Sequence, residues 1–277
     1  MRIVSWNINS VRRRVALLRR LVRRERPDVV CLQETKCANE AFPVRDVQAM
    51  GLRHLHLNGQ PGYHGVAILS RHPLEPLPAL NFGLPAHARY AGARVAVPLD
   101  AQREEGVAAP PLAVAVHNFY VPAGGDTPDP QLNEKFGQKL SFLDAMAAWS
   151  NEQLSDAASS GTPTLLVGDL NIAPLANDVW SHKRLQNVVS HTRVEVEALE
   201  AVQAAGGWRD VVREAVPAPQ PLFTWWSYRA KDWRAANRGR RLDHIWGNDA
   251  AGARVRSVRV LEDVRGWDQP SDHAPVV

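Results

Sequence analysis

Short apolar runs, each closed by a carboxylate, an amide or an imidazole, recur from one end of the chain to the other. Ile3-Val4-Ser5-Trp6 leads to Asn7, and Val29-Val30-Cys31-Leu32-Gln33 stops at Glu34. Thr164-Leu165-Leu166-Val167-Gly168 stops at Asp169-Leu170-Asn171, Leu242 leads to Asp243-His244, and Ser271-Asp272-His273 precedes Ala274-Pro275-Val276-Val277. Such runs read as buried strands, and strand ends are where a rigid scaffold presents functional groups. Val66-Ala67-Ile68-Leu69-Ser70, Val95-Ala96-Val97 and Leu112-Ala113-Val114-Ala115-Val116 predict further strands. The spacing of Val11, Val15, Leu18, Leu21 and Val22 predicts a helix reaching about Arg26, with Ser10 as its N-cap and Pro27-Asp28 as its stop. Phe136, Leu140, Leu143 and Ala147 predict a long helix over 132–156, and another is expected near 194–205. Residues 155–163 read as a small-residue loop and 100–111 as a polar connection. Tyr120-Val121-Pro122-Ala123-Gly124-Gly125-Asp126 is broken by Pro and two Gly and reads as irregular. Helices interrupting many strands suggest sheets packed face to face, with helices outside.

The candidate ligands run from Asn7 to Asp272 of 277 residues. If they meet, the chain folds as one unit, so a single domain over 1–277 is expected, in keeping with 45% hydrophobic residues. The formal charge of +4 fits either an Arg-rich surface or a polyanionic partner. Eight Arg stand among residues 11–26 against one Glu, mostly off the apolar stripe, and read as a solvated face. Cys31, inside a strand, and Cys37, in the turn after it, read as reduced thiols, because two cysteines make no disulfide framework. His182 and His191 lack metal-site spacing and read as structural. No run approaches the ~18 apolar residues of a membrane helix, and no charged leader precedes an apolar stretch. A soluble cytoplasmic protein is expected.

Hard oxygen donors and one imidazole at strand ends are the chemistry of a magnesium-type site working on a phosphate ester. On an extended strand Asp169 and Asn171 share a face, the carboxylate to align or deprotonate a water, the amide to donate to developing negative charge. Taken alone, Gly-Asp-Leu-Asn is more often a turn. Glu34 suits Mg²⁺, which prefers one or two carboxylates plus waters, although an isolated strand-end acid is more often solvated. Asn7 faces the same choice between turn former and ligand. Asp272 is suited to a metal and His273 to a phosphate or a proton relay, with Asp243 fixing the imidazole tautomer. No activated Ser or Cys motif is present, so water is the expected nucleophile. From Phe223 to Trp233 stand Phe223, Trp225, Trp226, Tyr228 and Trp233, and six bases against one acid lie between Arg229 and Arg241. Interleaved aromatics and bases suit a surface that neutralises phosphates and stacks on a base; the alternative is a Trp-rich core segment with a solvated loop. Trp225 is singled out for the former.

Taken together, Ser5-Trp6-Asn7-Ile8-Asn9-Ser10, Pro27-Asp28-Val29-Val30-Cys31-Leu32-Gln33-Glu34-Thr35-Lys36, Gly65-Val66-Ala67-Ile68-Leu69-Ser70, Asn118-Phe119-Tyr120-Val121-Pro122, Gly168-Asp169-Leu170-Asn171-Ile172-Ala173-Pro174, Phe223-Thr224-Trp225-Trp226-Ser227-Tyr228-Arg229, Asn237-Arg238-Gly239-Arg240-Arg241-Leu242-Asp243 and Ser271-Asp272-His273-Ala274-Pro275 resemble the exonuclease III family of DNA-repair nucleases. That family lies within the endonuclease/exonuclease/phosphatase superfamily, and the segments follow its order over almost the whole chain. The resemblance implies a four-layered α/β sandwich, two packed mixed β-sheets flanked by helices. It implies a Mg²⁺- or Mn²⁺-dependent phosphodiesterase, acting as a monomer on double-stranded DNA at an abasic site, a nick or a 3′ end. By motif match Asn7, Glu34 and Asp272 are metal ligands, joined by Asp169, Asn171 and His273 at a second position. Asp169 handles the water's proton, Asn171 and His273 stabilise the transition state, Asp243 orients His273, and Tyr120 is the active-site tyrosine. Trp225, Arg229, Asn237 and Arg238 fall on the DNA-binding face. The loop 123–130 departs from the family's best-known pattern, which leaves the balance of activities open. The alternatives are a phosphatase or phospholipase for inositol phosphates or sphingomyelin, and an inactive nucleic-acid-binding relative.

Overall fold

Two mixed β-sheets, built from the apolar runs, lie face to face in the computed structural model, which describes residues 1–98 and 112–277. The connection expected over 100–111 therefore falls outside the described residues. The first sheet holds β1 (Ile3–Asn7), β2 (Val29–Gln33), β3 (His54–Asn58) and β4 (Val66–Ser70) in the order β1-β2-β4-β3, with β1 and β2 parallel. The second holds β5 (Leu74–Pro76), β6 (Tyr90–Val97), β7 (Leu112–Tyr120), β8 (Thr164–Asp169), β9 (Arg209–Asp210) and β12 (Asp243–Gly247). Its order is β5-β6-β7-β8-β12-β9, and β7 and β8 run parallel. A short ribbon joins β10 (Trp225–Trp226) to β11 (Gly239–Arg240). The helices are α1 (Val15–Glu25), α2 (Val44–Ala49), α3 (Glu134–Ser160), α4 (His182–Leu185), α5 (Arg193–Ala205), α6 (Val211–Ala215), α7 (Trp233–Ala236) and α8 (Asp249–Gly252).

The period of two along each strand assigns the layers. Val29 and Cys31 of β2 point into the space between the sheets and pack with Val114, Val116, Val167 and Ile245. Val30 and Leu32, from the same strand, face the other way onto Leu18, Leu21 and Val22 of α1. On the outer face of the second sheet Phe119, Leu166 and Trp246 meet Phe142, Leu143 and Met146 of α3 and Leu199 and Val202 of α5. The result is helix, sheet, sheet, helix: the expected four-layered α/β sandwich. Each fully buried Val or Leu contributes ~1.5–3 kcal/mol, and slipping β2 by one residue would exchange its two faces.

One polar clasp interrupts the apolar space between the sheets. Gln33 Nε2 donates to Asn118 Oδ1 at 2.7 Å, and Asn118 Nδ2 donates to the carbonyls of Leu32 and Ala67 at 2.9 and 3.0 Å. Buried amides bonded across layers in this way fix one register between them, here at the end where Glu34 leaves β2, although Gln33 Oε1 itself has no partner. Nearby, Gly168 adopts φ +139, and a Cβ there would lie 1.9 Å from Phe119 O. Only glycine permits this approach of β8 to β7, which sets Tyr120 opposite Asp169.

Three local expectations change. Ser10 caps no helix: it lies at φ 84 and its N–H donates to Glu34 O at 2.7 Å, so the loop after β1 is bonded to the chain beyond β2. The helix begins with a 3-10 turn, Arg12–Arg14, before α1. α3 continues through 155–160 and stops only at Gly161, φ 63, because small residues still sustain a helix where glycine supplies the left-handed turn. Arg14 is not part of a solvated face: it is buried, and its guanidinium donates to Pro270 O at 2.9 Å, Gln269 O at 3.1 Å and the Tyr228 hydroxyl at 3.1 Å. Among the described residues no helix is long and apolar enough to cross a membrane.

Candidate active site

The ends of β1, β2, β7, β8 and β12 converge on one cluster of polar side chains. Asn7, the last residue of β1, donates from Nδ2 to Glu34 Oε1 at 3.0 Å and to Asp169 Oδ2 at 2.8 Å. Its Oδ1 accepts the N–H of Asn9 at 3.1 Å, so the amide bridges the two carboxylates in a fixed orientation. Glu34 follows β2 at φ 52. Its Oε1 also accepts the Tyr120 hydroxyl at 2.8 Å, and its Oε2 is paired with Lys36 at 2.7 Å. Lys36 donates to Asn9 Oδ1 at 2.7 Å, and Asn9 Nδ2 donates to Asp272 Oδ1 at 3.0 Å.

From Asp169 the network continues in the other direction. His273 Nδ1 is 2.8 Å from Asp243 Oδ2, and its Nε2 lies 3.7 Å from Asp169 Oδ2. Thr224 Oγ1 donates to the same Asp243 oxygen at 2.6 Å, while Asp243 Oδ1 is buried with no partner. The imidazole is thus held by an acid on one side and aimed at an acid on the other, which fixes its orientation. Trp225 Nε1 donates to Asp272 Oδ2 at 2.9 Å, so both Asp272 oxygens are engaged by neutral donors.

Burial and neighbouring charge divide the carboxylates into two kinds. Burial lifts Asp169 to about 7, with Asp243 and Glu34 adding to the rise while His273 and the Asn7 amide oppose it. For Glu34, burial favours the acid form, but Lys36 and Asn7 hold it below the usual carboxylate range. Asp272 is likewise held down, against burial, by His273, Trp225 and Asn9. Burial alone would lower His273; Asp243 and Asp169 instead raise it to about 10. Burial and the Glu34 charge push the Tyr120 hydroxyl well above its ordinary value, so it remains a donor. Two titratable groups driven toward opposite roles in one cleft are the arrangement of an acid–base pair.

Asn171 follows the turn reading of Gly-Asp-Leu-Asn and not the strand alternation. β8 ends at Asp169, and Asn171 lies at φ 54, in the left-handed region. Its N–H donates to Asp169 Oδ1 at 3.0 Å and its Nδ2 to Val121 O at 2.9 Å. The two residues meet through a turn, not through strand alternation, because the side chain of Asp169 captures the next free backbone donor. Of the aromatics, Trp226 is buried and its indole donates to Asn237 Oδ1 at 3.0 Å, whereas Trp225 is half-buried and Tyr228 exposed. Arg229 and Arg238 are exposed, and Arg240 lies over Trp225 at 5.5 Å. His182 and His191 are bonded to each other at 2.8 Å, and Cys31 and Cys37 are buried free thiols.

Sequence reasoning did not single out Asn9, Lys36, Arg89 or Thr224. Arg89 donates to Tyr120 O at 3.1 Å and stands 4.9 Å over the Tyr120 ring. Lys36 and Thr224 lie inside quoted motifs, two residues from Glu34 and one from Trp225, which was the only available signal. Among the described residues Asp169, Asp243 and His273 form the one group of acids and imidazoles whose ligand atoms lie within 4.8 Å of one another. Glu34 and Asp169, joined by Asn7, add hard oxygens with no sulfur nearby in the network. Such a donor set fits an oxygen-preferring divalent cation better than a thiophilic one.

Comparison with known proteins extends these observations. Residues 4–273 match the model of the Endonuclease/Exonuclease/phosphatase family. The chain is 30% identical over 286 residues to the exodeoxyribonuclease III of Haemophilus influenzae, covering 100% of this chain and 98% of that protein. It superposes on an AP endonuclease from Archaeoglobus fulgidus with a TM-score of 0.85 at 26% identity, over 100% of this chain and 97% of the other. A 3′ phosphatase, NExo, from Neisseria, solved with a product DNA hairpin, gives a TM-score of 0.82 at 30% identity over 100% and 97%.

Proposed function

This chain belongs to the endonuclease/exonuclease/phosphatase family, within its exonuclease III and abasic-site endonuclease branch, and we propose that it is a DNA-repair nuclease hydrolysing phosphodiesters in duplex DNA. The observation that carries the reading is the chain of contacts from Asp243 through His273 to Asp169, Asn7 and Glu34, at the rim of a face lined with aromatics and arginines. Its substrates on this reading are duplexes with an abasic site, a nick or a 3′ end, attacked in line by water. Residues 1–277 act as one domain, a monomer in the cytoplasm.

Glu34 and Asn7, with Asp272, Asp169 and Asn171 in support, would hold Mg²⁺ or Mn²⁺, which would offset charge on the phosphate and lower the pKa of water. His273, expected at a second metal position, is protonated and has no lone pair free for a cation. Asp169 takes the proton of the attacking water, a task suited to a carboxyl near neutrality. His273, kept protonated by Asp243, and the free N–H of the Asn171 amide donate to the equatorial oxygens as negative charge grows there. Tyr120, a donor to Glu34, holds that carboxylate in place. Trp225 walls the site beside Asp272, and Arg229, Asn237 and Arg238 meet the backbone.

The test is hydrolysis of matched, nicked and abasic duplexes with and without EDTA, beside an inositol phosphate and sphingomyelin. Metal-dependent cleavage of a duplex is expected. Turnover of the small phosphate or lipid substrates alone would overturn the reading in favour of a phosphatase or phospholipase of the same superfamily.

A further inference from the structure

Lys139 stands on the inward side of α3 with its side chain fully buried, in a position where a lysine on an amphipathic helix is normally solvated. A buried ammonium persists only when paired and hydrogen-bonded. Its three N–H groups reach three different segments. One is bonded to Glu195 of α5, also fully buried. A second donates to Asn171 O at 2.9 Å, and the third to Ala123 O at 3.3 Å. A strut between α3 and α5 would need only the first of these.

One of these carbonyls is that of Asn171 itself, and the other belongs to the segment whose Val121 carbonyl accepts the Asn171 amide. Asn171 is held at φ 54, a backbone region that asparagine tolerates but does not favour, and its Nδ2 donates to Val121 O, two residues before Ala123. Lys139 therefore fixes both the peptide that carries this side chain and the loop that receives it. Glu195 cannot swing away, since its carboxylate also accepts the N–H groups of Ser190 and Thr192 in the cap of α5. Gly124, at φ +90, brings the loop down on the lysine stem: a Cβ there would lie 2.9 Å from Lys139 Cδ.

We propose that Lys139 is a positioning residue for phosphodiester hydrolysis, clamping the Asn171 amide in the orientation that donates to the reacting phosphate. The inference rests on the nuclease reading above. Lys139→Met combined with Glu195→Gln removes the charge pair while leaving an acceptor for the α5 cap, which keeps the fold testable. In single-turnover and steady-state incision of an abasic duplex, the pair should lower kcat by ~10-fold or more with KM within ~2-fold. In an Asn171→Ala background the same pair should cost less than ~2-fold further, because the amide it orients is gone. A merely structural role would lower Tm, and its effect on kcat would multiply with that of Asn171→Ala; that result, or unchanged kcat, overturns the proposal. Should the pair variant not fold, Gly124→Ala, which presses on the lysine stem and leaves both charges, takes its place in the cycle with the same criteria. A native enzyme that cleaves no duplex sinks the nuclease reading and this inference with it; a native enzyme that cleaves while the losses multiply sinks only the role of Lys139.

Discussion

His273 and Asp169 approach to 3.7 Å through Nε2 and Oδ2, in a buried site where the other imidazole nitrogen is already committed to Asp243. The imidazole is therefore poised toward one acid while being charged by another. That division of labour, positive donor beside an acid near neutrality, is the basis for the expectations that follow.

Asp169→Asn and His273→Asn should each reduce incision of an abasic duplex by ~10²–10⁴-fold, the usual contribution of a positioned acid or base. Asp169→Asn keeps size and His273→Asn leaves a smaller but still hydrogen-bonding side chain, so duplex binding measured by fluorescence anisotropy should stay within ~3-fold of the native protein. Native-like turnover in either variant would remove that residue from the chemistry.

The rate should be bell-shaped in pH. Asp169 must be ionised to accept a proton, so kcat/KM should climb as pH rises through about 7. His273 must be protonated to donate, so the rate should fall as pH passes about 10. Asp243→Asn removes the charge that raises His273 and should move the falling limb to lower pH. A flat profile between pH ~5.5 and ~7.5 would contradict the base assignment.

Stability should decline on acidification for a reason unrelated to the site. Burial lowers His117 to about 3, with Arg94 adding to the effect, and His244 to about 4, with Arg241 adding. The unfolded chain takes up these protons near the ordinary histidine value and the folded chain does not. The stability they contribute is thus present above pH ~6.5 and lost as pH falls toward the folded values, by up to ~1.4 kcal/mol per pH unit for each. Urea unfolding at several pH values should show this slope, and His117→Gln should flatten it. An unchanged slope in that variant would point to other groups.

The layers were legible because strand alternation and helical spacing are written locally: Val29 and Cys31 against Val30 and Leu32 divide two cores in one strand. Glu34 and Asp169 were legible as chemistry because each closes an apolar run, and His273 because it opens one. At Asn171 the turn alternative prevails over strand alternation, since its left-handed turn is stabilised by the side chain of Asp169, a contact invisible to periodicity. Ser10 failed as a cap for a similar reason, its N–H being taken by Glu34 O from the chain beyond β2. Arg14 looked like a solvated charge and nothing local marked Lys139, because only the tertiary fold supplies the carbonyls that bury them. Local pattern carries the elements; the partners of buried polar groups come from distant segments.

Binding to duplex DNA should weaken steeply with salt, and the arginines beside the tryptophans should carry part of that dependence. Trp180 has Arg238 at 5.0 Å and Arg184 at 5.5 Å from its ring, and among the described residues neither guanidinium has an ion-pair partner. Stacked on an indole rather than neutralised by a carboxylate, each keeps its charge available to a phosphate. Neutralising a phosphate releases counterions, so the logarithm of the binding constant should fall linearly with that of salt concentration. Arg238→Ala should weaken binding uniformly across sequences and reduce the magnitude of that slope by ~1, and Arg184→Ala should do the same. Trp225→Ala, which removes an aromatic wall and not a charge, should weaken binding to an abasic duplex more than to a matched one and leave the slope unchanged. A native protein whose binding is insensitive to salt would leave this face without a polyanionic partner.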